Sequence, residues 1–296
     1  MQNNHHLLFL VFYLFSSALT AQEWEEYMDL PYLSPEQTTV ADLQRLNLVV
    51  PQNEETVPLL IWIGGGAWSY VDRHVEMDLA RQFAERGIAV ASIGHRLSPA
   101  TWRDPNLNTG IQHPKHVEDI AAAVQWLYEQ AAHYGYDSEQ FFIGGFSSGA
   151  HLAALVALDS THLQARGLSP RVFRGIIPIS GTYDIADYHR AFSEGSRPDW
   201  AELHVEAVFG STEEQWAAAS PTNFLDYLSQ PILLMTDQNM YRYTQLFEDR
   251  LLETNFRDFQ VVYAYELSHV ELWQSISRAE SSAYRDLMVH FIQSNS

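Results

Sequence analysis

From residue 58 onward the chain repeats one rhythm, a short apolar run followed by a longer amphipathic stretch. The runs 59–63, 88–93, 141–144, 175–179, 232–236 and 259–264 are rich in Ile, Val, Leu or Phe and bounded by Gly, Pro or polar residues. They are brief and apolar throughout, which is how strands covered on both faces read. Between or after them, 76–86, 115–133, 148–158, 241–254 and 278–293 carry apolar residues three and four apart, as helices do. Regular β-α alternation predicts an α/β fold with a mostly parallel central sheet and helices on both faces. Ligands then bind outside the carboxyl ends of the strands. No repeat, low-complexity tract or long linker interrupts 22–296, and 46% of the 296 residues are hydrophobic, enough for one large core in a single domain. Two segments break the rhythm. Residues 97–114 and 182–222 are long, aromatic and polar and leave from strand ends, where such connections are often functional or lid-like.

Composition removes several function classes. Cysteine is absent, which excludes disulfide frameworks, thiolate nucleophiles and Cys-ligated zinc. Lys plus Arg total 17 against 37 Asp plus Glu, for a formal net charge of −20, and Lys115 is the only lysine. Such a surface repels phosphate backbones and anionic headgroups, so neither nucleic acid nor a membrane surface is expected as a partner. At the amino terminus, 7–15 is an unbroken apolar run followed by the small residues of 16–21. The run is short for a bilayer, and residues 1–21 read as a signal peptide cleaved after Ala21 or Ala18. Residues 1–6 lack the Lys or Arg usual in such leaders. The reading implies a secreted or periplasmic protein with no membrane span after cleavage.

The residues that carry chemistry sit at the predicted strand ends. Gly145-Phe146-Ser147-Ser148-Gly149 lies between the run 141–144 and the helical stretch 148–158. A serine nucleophile must stand on a tight strand-to-helix turn, and glycines two residues to either side are needed because a Cβ there would collide with strand and helix. Gly64-Gly65-Gly66-Ala67-Trp68 leaves the run 59–63. Such a loop can aim successive N–H groups at a developing oxyanion, and the expected donors are those of Gly66, Ala67 and Ser148. A phosphate loop is the weaker reading, because no Gly-Lys-Ser/Thr and no third glycine at dinucleotide spacing follow. Of the 13 histidines, only His269 stands immediately beyond the final run, in what reads as a loop, and it is the expected general base. The acid should follow the run 232–236, where Asp237 and Asn239 compete. Asp237 is preferred because that register lets Leu252 of the following helix face the core. Trp68 and Tyr70, with Trp62 and the two long segments, are the candidate walls of a substrate pocket. His113-Pro114-Lys115-His116, with Glu118 and Asp119, reads as a helix entrance in which Asp119 ties down a loop. Neither a metal nor a cofactor is expected.

These motifs together resemble a known group. From about residue 58 to residue 291 the chain is similar to the branch of the α/β-hydrolase fold that holds small bacterial carboxylesterases, feruloyl-esterase-like enzymes and arylformamidases, related to the hormone-sensitive-lipase group. Besides the elbow, extended to His151, and the Gly64–Trp68 loop, the matches include Arg96-Leu97-Ser98-Pro99, His116-Val117-Glu118-Asp119, Trp126-Leu127, Asp137, Ser180-Gly181-Thr182-Tyr183-Asp184, Ser220-Pro221 and His269. The resemblance implies a serine hydrolase acting on a small-molecule carboxylic ester through an acyl-enzyme on Ser147. Two alternatives go with it: an arylformamidase-type amide hydrolase, and a catalytically impaired homologue serving as a binding protein. Three positions depart from the group. Gly64 stands where its oxyanion motif has His, His95 stands where it has Tyr before Arg-Leu, and Thr236-Asp237-Gln238-Asn239 replaces its Gly-x-x-Asp turn. Without the histidine's hydrogen bonds, the Gly64 loop is expected to be more mobile.

Overall fold

A computed structural model describes residues 23–52 and 55–296, so the expected targeting segment lies outside the described residues. Eight strands form one sheet: β1 (Trp24–Pro31), β2 (Arg45–Pro51), β3 (Val57–Ile63), β4 (Ala89–Ile93), β5 (Tyr136–Phe146), β6 (Phe173–Ile179), β7 (Ile232–Asp237) and β8 (Phe259–Ala264). Their spatial order is β1-β2-β4-β3-β5-β6-β7-β8. Strands β3 to β8 are mutually parallel, and they are the six strands expected from the apolar runs. β2 pairs antiparallel with β4, and β1 antiparallel with β2, adding an edge that the apolar runs do not announce.

Side chains alternate between the two faces of the sheet, and each face has its own core. On β3, Leu59, Ile61 and Ile63 join one core while Leu60 and Trp62 join the other. The first core is completed by the helices Lys115–Tyr134, Ser148–Leu158 and Tyr241–Glu253, the second by Met77–Ala84, His269–Ser277 and Ala283–Asn295. Double coverage explains why the central runs are apolar at every position. This is the α/β-hydrolase fold. Among the described residues no helix is long and apolar enough to cross a membrane.

The carboxyl-terminal helices differ from expectation. The helix predicted over 278–293 runs from Ala283 to Asn295, and an additional helix, His269–Ser277, has His269 as its first residue rather than in a loop. Ser268 starts the earlier helix through a capping box with Glu271, and Ser282 starts the later one by accepting from Arg285 N–H. The Arg285 guanidinium is buried and donates to the carbonyls of Ser275, Ile276, Ala279 and Glu280, which satisfies the end of the first helix. The two long segments pack on each other. His113 N–H donates to Val208 O at 2.8 Å and the Gln112 amide to Glu206 O at 2.9 Å. Residues 97–114 contain neither helix nor strand, whereas 182–222 carry several short helices, including Ile185–Ser193 and Glu213–Ala218.

Candidate active site

Ser147 joins β5 to the helix Ser148–Leu158 with φ 55° and ψ −119°, a backbone conformation that costs energy for a residue with a Cβ. Its N–H donates to Ile179 O at 2.8 Å, tying the turn to β6. The flanking glycines are sterically required. A Cβ on Gly149 would lie 1.9 Å from Ile63 O, and one on Gly145 would lie 2.5 Å from the Gly149 carbonyl carbon.

Asp237 ends β7 and is buried, with its Oδ2 2.7 Å from His269 Nδ1. Its Oδ1 accepts from the N–H groups of Asn239 at 2.7 Å and Met240 at 3.0 Å. Burial pushes the Asp237 carboxyl up, but hydrogen bonds from His269 and Ser180, together with the Met240 amide, hold it below its ordinary value. Asn239 is used differently, since its Oδ1 accepts the backbone N–H of His269 at 2.9 Å. The two candidates for the acid therefore both touch His269, the carboxylate at the ring and the amide at the main chain. A carboxylate on Nδ1 fixes the tautomer with its proton there and leaves Nε2 with the free lone pair. The helix register expected to support Asp237 does not hold even so, because Phe247 and Leu251 face the core and Leu252 is exposed.

Ser147 and His269 line one cavity of about 370 Å³. Gly65 and Gly66 form part of its wall, and Ser148, whose N–H is the third expected donor, opens the adjoining helix. Ala67 does not line the cavity; it follows at φ 50° in the turn that leads away to Trp68. Tyr70 lines the cavity, held from behind by Arg103 over its ring at 4.5 Å and by Trp102. Trp68 does not. It is buried, donates from Nε1 to His151 Nδ1 at 3.2 Å and meets Phe209 edge-on, so it braces the loop from the protein side. No residue of 97–114 or 182–222 is among those lining the cavity, because both segments pack behind Trp68 and Tyr70. The loop expected to be mobile is tied at several points. Ser69 Oγ lies 2.9 Å from Ala67 O and 3.1 Å from Pro99 O and shares its one proton between them, and Ser98 N–H donates to Trp68 O.

Glu76 carries no signal in the sequence. It is buried, lines the cavity, and accepts from Trp62 Nε1 at 2.9 Å and Trp273 Nε1 at 3.3 Å. Burial raises its pKa, while the two indole bonds oppose that rise. A Cβ on Gly64 would sit 3.0 Å from Glu76 Oε1, so this carboxylate fills the space where related loops carry a histidine side chain. No spacing rule marks a lone Glu at the start of a helix. Asp119 does tie down a loop, through Arg96 at 2.8 and 2.9 Å and Gln44 at 2.9 Å. His116 Nε2 lies 2.9 Å from Ser98 Oγ.

Known proteins resemble this chain in sequence and in fold. Esterase LipQ of Mycobacterium tuberculosis is 27% identical over 212 residues, covering 70% of this chain and 47% of LipQ. A kynurenine formamidase of Danio rerio is 26% identical over 202 residues, covering 68% of this chain and 57% of that protein. The chain thus spans about half the length of these curated relatives. The fold matches that of solved esterases. Esterase B from Lactobacillus rhamnosis superposes with a TM-score of 0.74 at 21% identity, over 93% of this chain and 87% of that one. An esterase of Pyrobaculum calidifontis gives 0.67 at 20% identity, over 84% and 80%. Residues 46–241 match the BD-FAE family, a span that runs from β2 past the serine elbow to Asp237 and Asn239. The chain belongs to the BD-FAE family of α/β-hydrolases.

Proposed function

We propose that the protein hydrolyses carboxylic esters through an acyl-enzyme on Ser147. The observation that carries this reading is a strained serine and a carboxylate-held histidine facing one cavity. In the first step His269 Nε2 takes the Ser147 hydroxyl proton as Oγ attacks the ester carbonyl carbon. The imidazolium formed lies against the Asp237 carboxylate, which stabilises it. Of the three expected donors, the N–H groups of Gly66 and Ser148 receive the negative charge on the carbonyl oxygen, since Ala67 stands away from the cavity. Collapse of the tetrahedral intermediate breaks the ester bond, and His269 returns the proton to the departing alcohol. Water then attacks the acyl carbon as His269 accepts its proton, and cleavage of the bond to Ser147 Oγ, which takes that proton back from His269, releases the acid.

Amide hydrolysis of a formylated arylamine would use the same groups, and the kynurenine formamidase relative keeps that second reading in view. A panel of p-nitrophenyl esters of graded chain length, run beside feruloyl esters and N-formylkynurenine, separates the two. The carboxylesterase reading requires faster turnover of at least one ester than of the formamide. Turnover of the formamide alone would replace it, and no turnover of any would favour the binding-protein alternative. We also place the protein outside the cytoplasm, secreted or periplasmic, on the strength of the 7–15 apolar run and the small residues after it.

A further inference from the structure

Glu76 is a desolvated carboxylate whose hydrogen-bond donors are both neutral. Trp62 and Trp273 each supply one indole N–H, one to each oxygen. An ionised carboxylate has about four acceptor positions, so half of them remain. Among the described residues no Lys, Arg or His forms an ion pair with it; Arg278, stacked 4.5 Å from the Trp273 ring, acts on it only from a distance. A buried carboxyl without a counter-charge is pushed toward its neutral form, as burial pushes Glu76, and a cation placed beside it favours the ionised form. Here the unmatched side belongs to the wall of the cavity that holds Ser147 and His269. Phe146, Tyr70 and Trp273 add aromatic surface to that cavity, Asp72 adds a second carboxylate, and among the described residues neither Lys nor Arg lines it. Aromatic faces attract cations, and a chain of net charge −20 concentrates them at its surface.

We infer that Glu76 is a specificity-determining residue that selects substrates bearing a cationic ammonium group, which would supply the counter-charge this cavity lacks. The inference rests on the esterase reading for its turnover consequences, though not for binding. A carboxylate-bearing substrate would be disfavoured by the same wall, since a second anion would enter a desolvated space beside the first. Selectivity thus lies on the Gly64 side of the cavity, opposite in origin to the Asp237–His269 pair, which comes from the end of β7 and the start of the helix His269–Ser277.

The test uses two ester pairs in which one atom changes: butyrylcholine against its all-carbon isostere, and p-nitrophenyl γ-trimethylammoniobutyrate against its own. Trimethylammonium and tert-butyl have nearly the same shape, so the ratio of kcat/KM within a pair reads charge. The expected result is a cationic preference in at least one pair that falls by at least about tenfold in Glu76→Gln. Each neutral isostere serves as the control for folding of the variant. A ratio unmoved by Glu76→Gln, with the neutral ester still hydrolysed, overturns the inference. Because the variant also disturbs two indole bonds, a second measurement uses the unaltered protein: calorimetric binding of phenyltrimethylammonium and of benzenesulfonate at equal ionic strength. The cation should bind at least about tenfold more tightly. Equal affinity, or a preference for the sulfonate, overturns the inference. Absence of any ester turnover would remove the esterase reading, and the same calorimetry repeated on Glu76→Gln, where the cation's advantage should fall by at least about tenfold, would still decide whether Glu76 selects cations.

Discussion

Two histidines at the elbow show how differently one side chain can be used. His269 stands at the cavity with 30% of its side chain exposed and Nδ1 against the Asp237 carboxylate. His151 lies one turn beyond Ser147 on the helix Ser148–Leu158 and is fully buried. Its Nδ1 accepts from Trp68 Nε1 at 3.2 Å, which requires that nitrogen to be unprotonated, and its Nε2 then donates to Ala219 O at 2.7 Å. Both nitrogens are committed, and the ring is neutral. Burial drives its pKa down to about 3, against the opposing pull of the Ala219 carbonyl. His151 therefore clamps the elbow helix to the Gly64–Trp68 loop and to the segment around Ala219, while His269 faces the cavity with its ring held at Nδ1. What separates the two is the partner and the solvent: a carboxylate with access to the cavity suits the base proposed for His269, and a carbonyl with an indole makes a clamp.

That contrast can be broken by substitution. The largest effect belongs to His269→Ala, for which kcat should fall by about 10⁶-fold with little change in the denaturation midpoint; comparable loss of stability would show that the ring is a packing element. Next, Asp237→Asn should lower kcat by roughly 10⁴-fold, while Asn239→Ala, which frees only the His269 main chain, should cost about tenfold or less. Near-wild-type turnover by Asp237→Asn would transfer the acid's role elsewhere. His151→Ala reverses the pattern. It strands the Trp68 indole and the Ala219 carbonyl in a dry cavity and should cost about 3 kcal/mol in denaturant unfolding. Its kcat should change far less than in His269→Ala.

The smallest effect, taken per unit of pH, is in pH dependence. Unfolded His151 takes up a proton near its ordinary value of 6.5, whereas the folded ring refuses it until about pH 3. The unfolded state binds more protons throughout that window, so stability falls as pH falls from 6.5 toward 3. The contribution of this one ring is about 1.4 kcal/mol per pH unit. His204 and His113, also lowered by burial, both to about 4, act in the same direction over a narrower range. Unfolding free energy measured at several pH values should therefore have a slope in His151→Ala that is shallower by about that amount. An unchanged slope would mean that the folded ring is protonated.

The serine elbow and β3 to β8 were legible because their constraints are local. Apolar runs record double coverage, and Gly145 and Gly149 record a steric exclusion that no other residue satisfies. β1 was not legible because it carries Glu25, Glu26 and Asp29 on a half-covered edge, which erases the apolar signature. The helix start at His269 is marked in the sequence by Ser268 and Glu271 at capping-box spacing, a signal that the position beyond the last strand obscures. Choosing between Asp237 and Asn239 depends on which atom reaches the ring and which the main chain, a distinction only the fold makes. Trp68 was misplaced for the same reason. Its neighbours in space, His151 and Phe209, are far away in sequence, and they turn it inward.

Everything catalytic proposed for this fold depends on Ser147 being a nucleophile activated by His269. A fluorophosphonate probe followed by mass spectrometry of the peptides tests this most directly. The expected result is a single covalent adduct on the peptide bearing Ser147, and its loss in His269→Ala. No adduct on the wild-type protein, or an adduct on Ser147 that persists in His269→Ala, would contradict it.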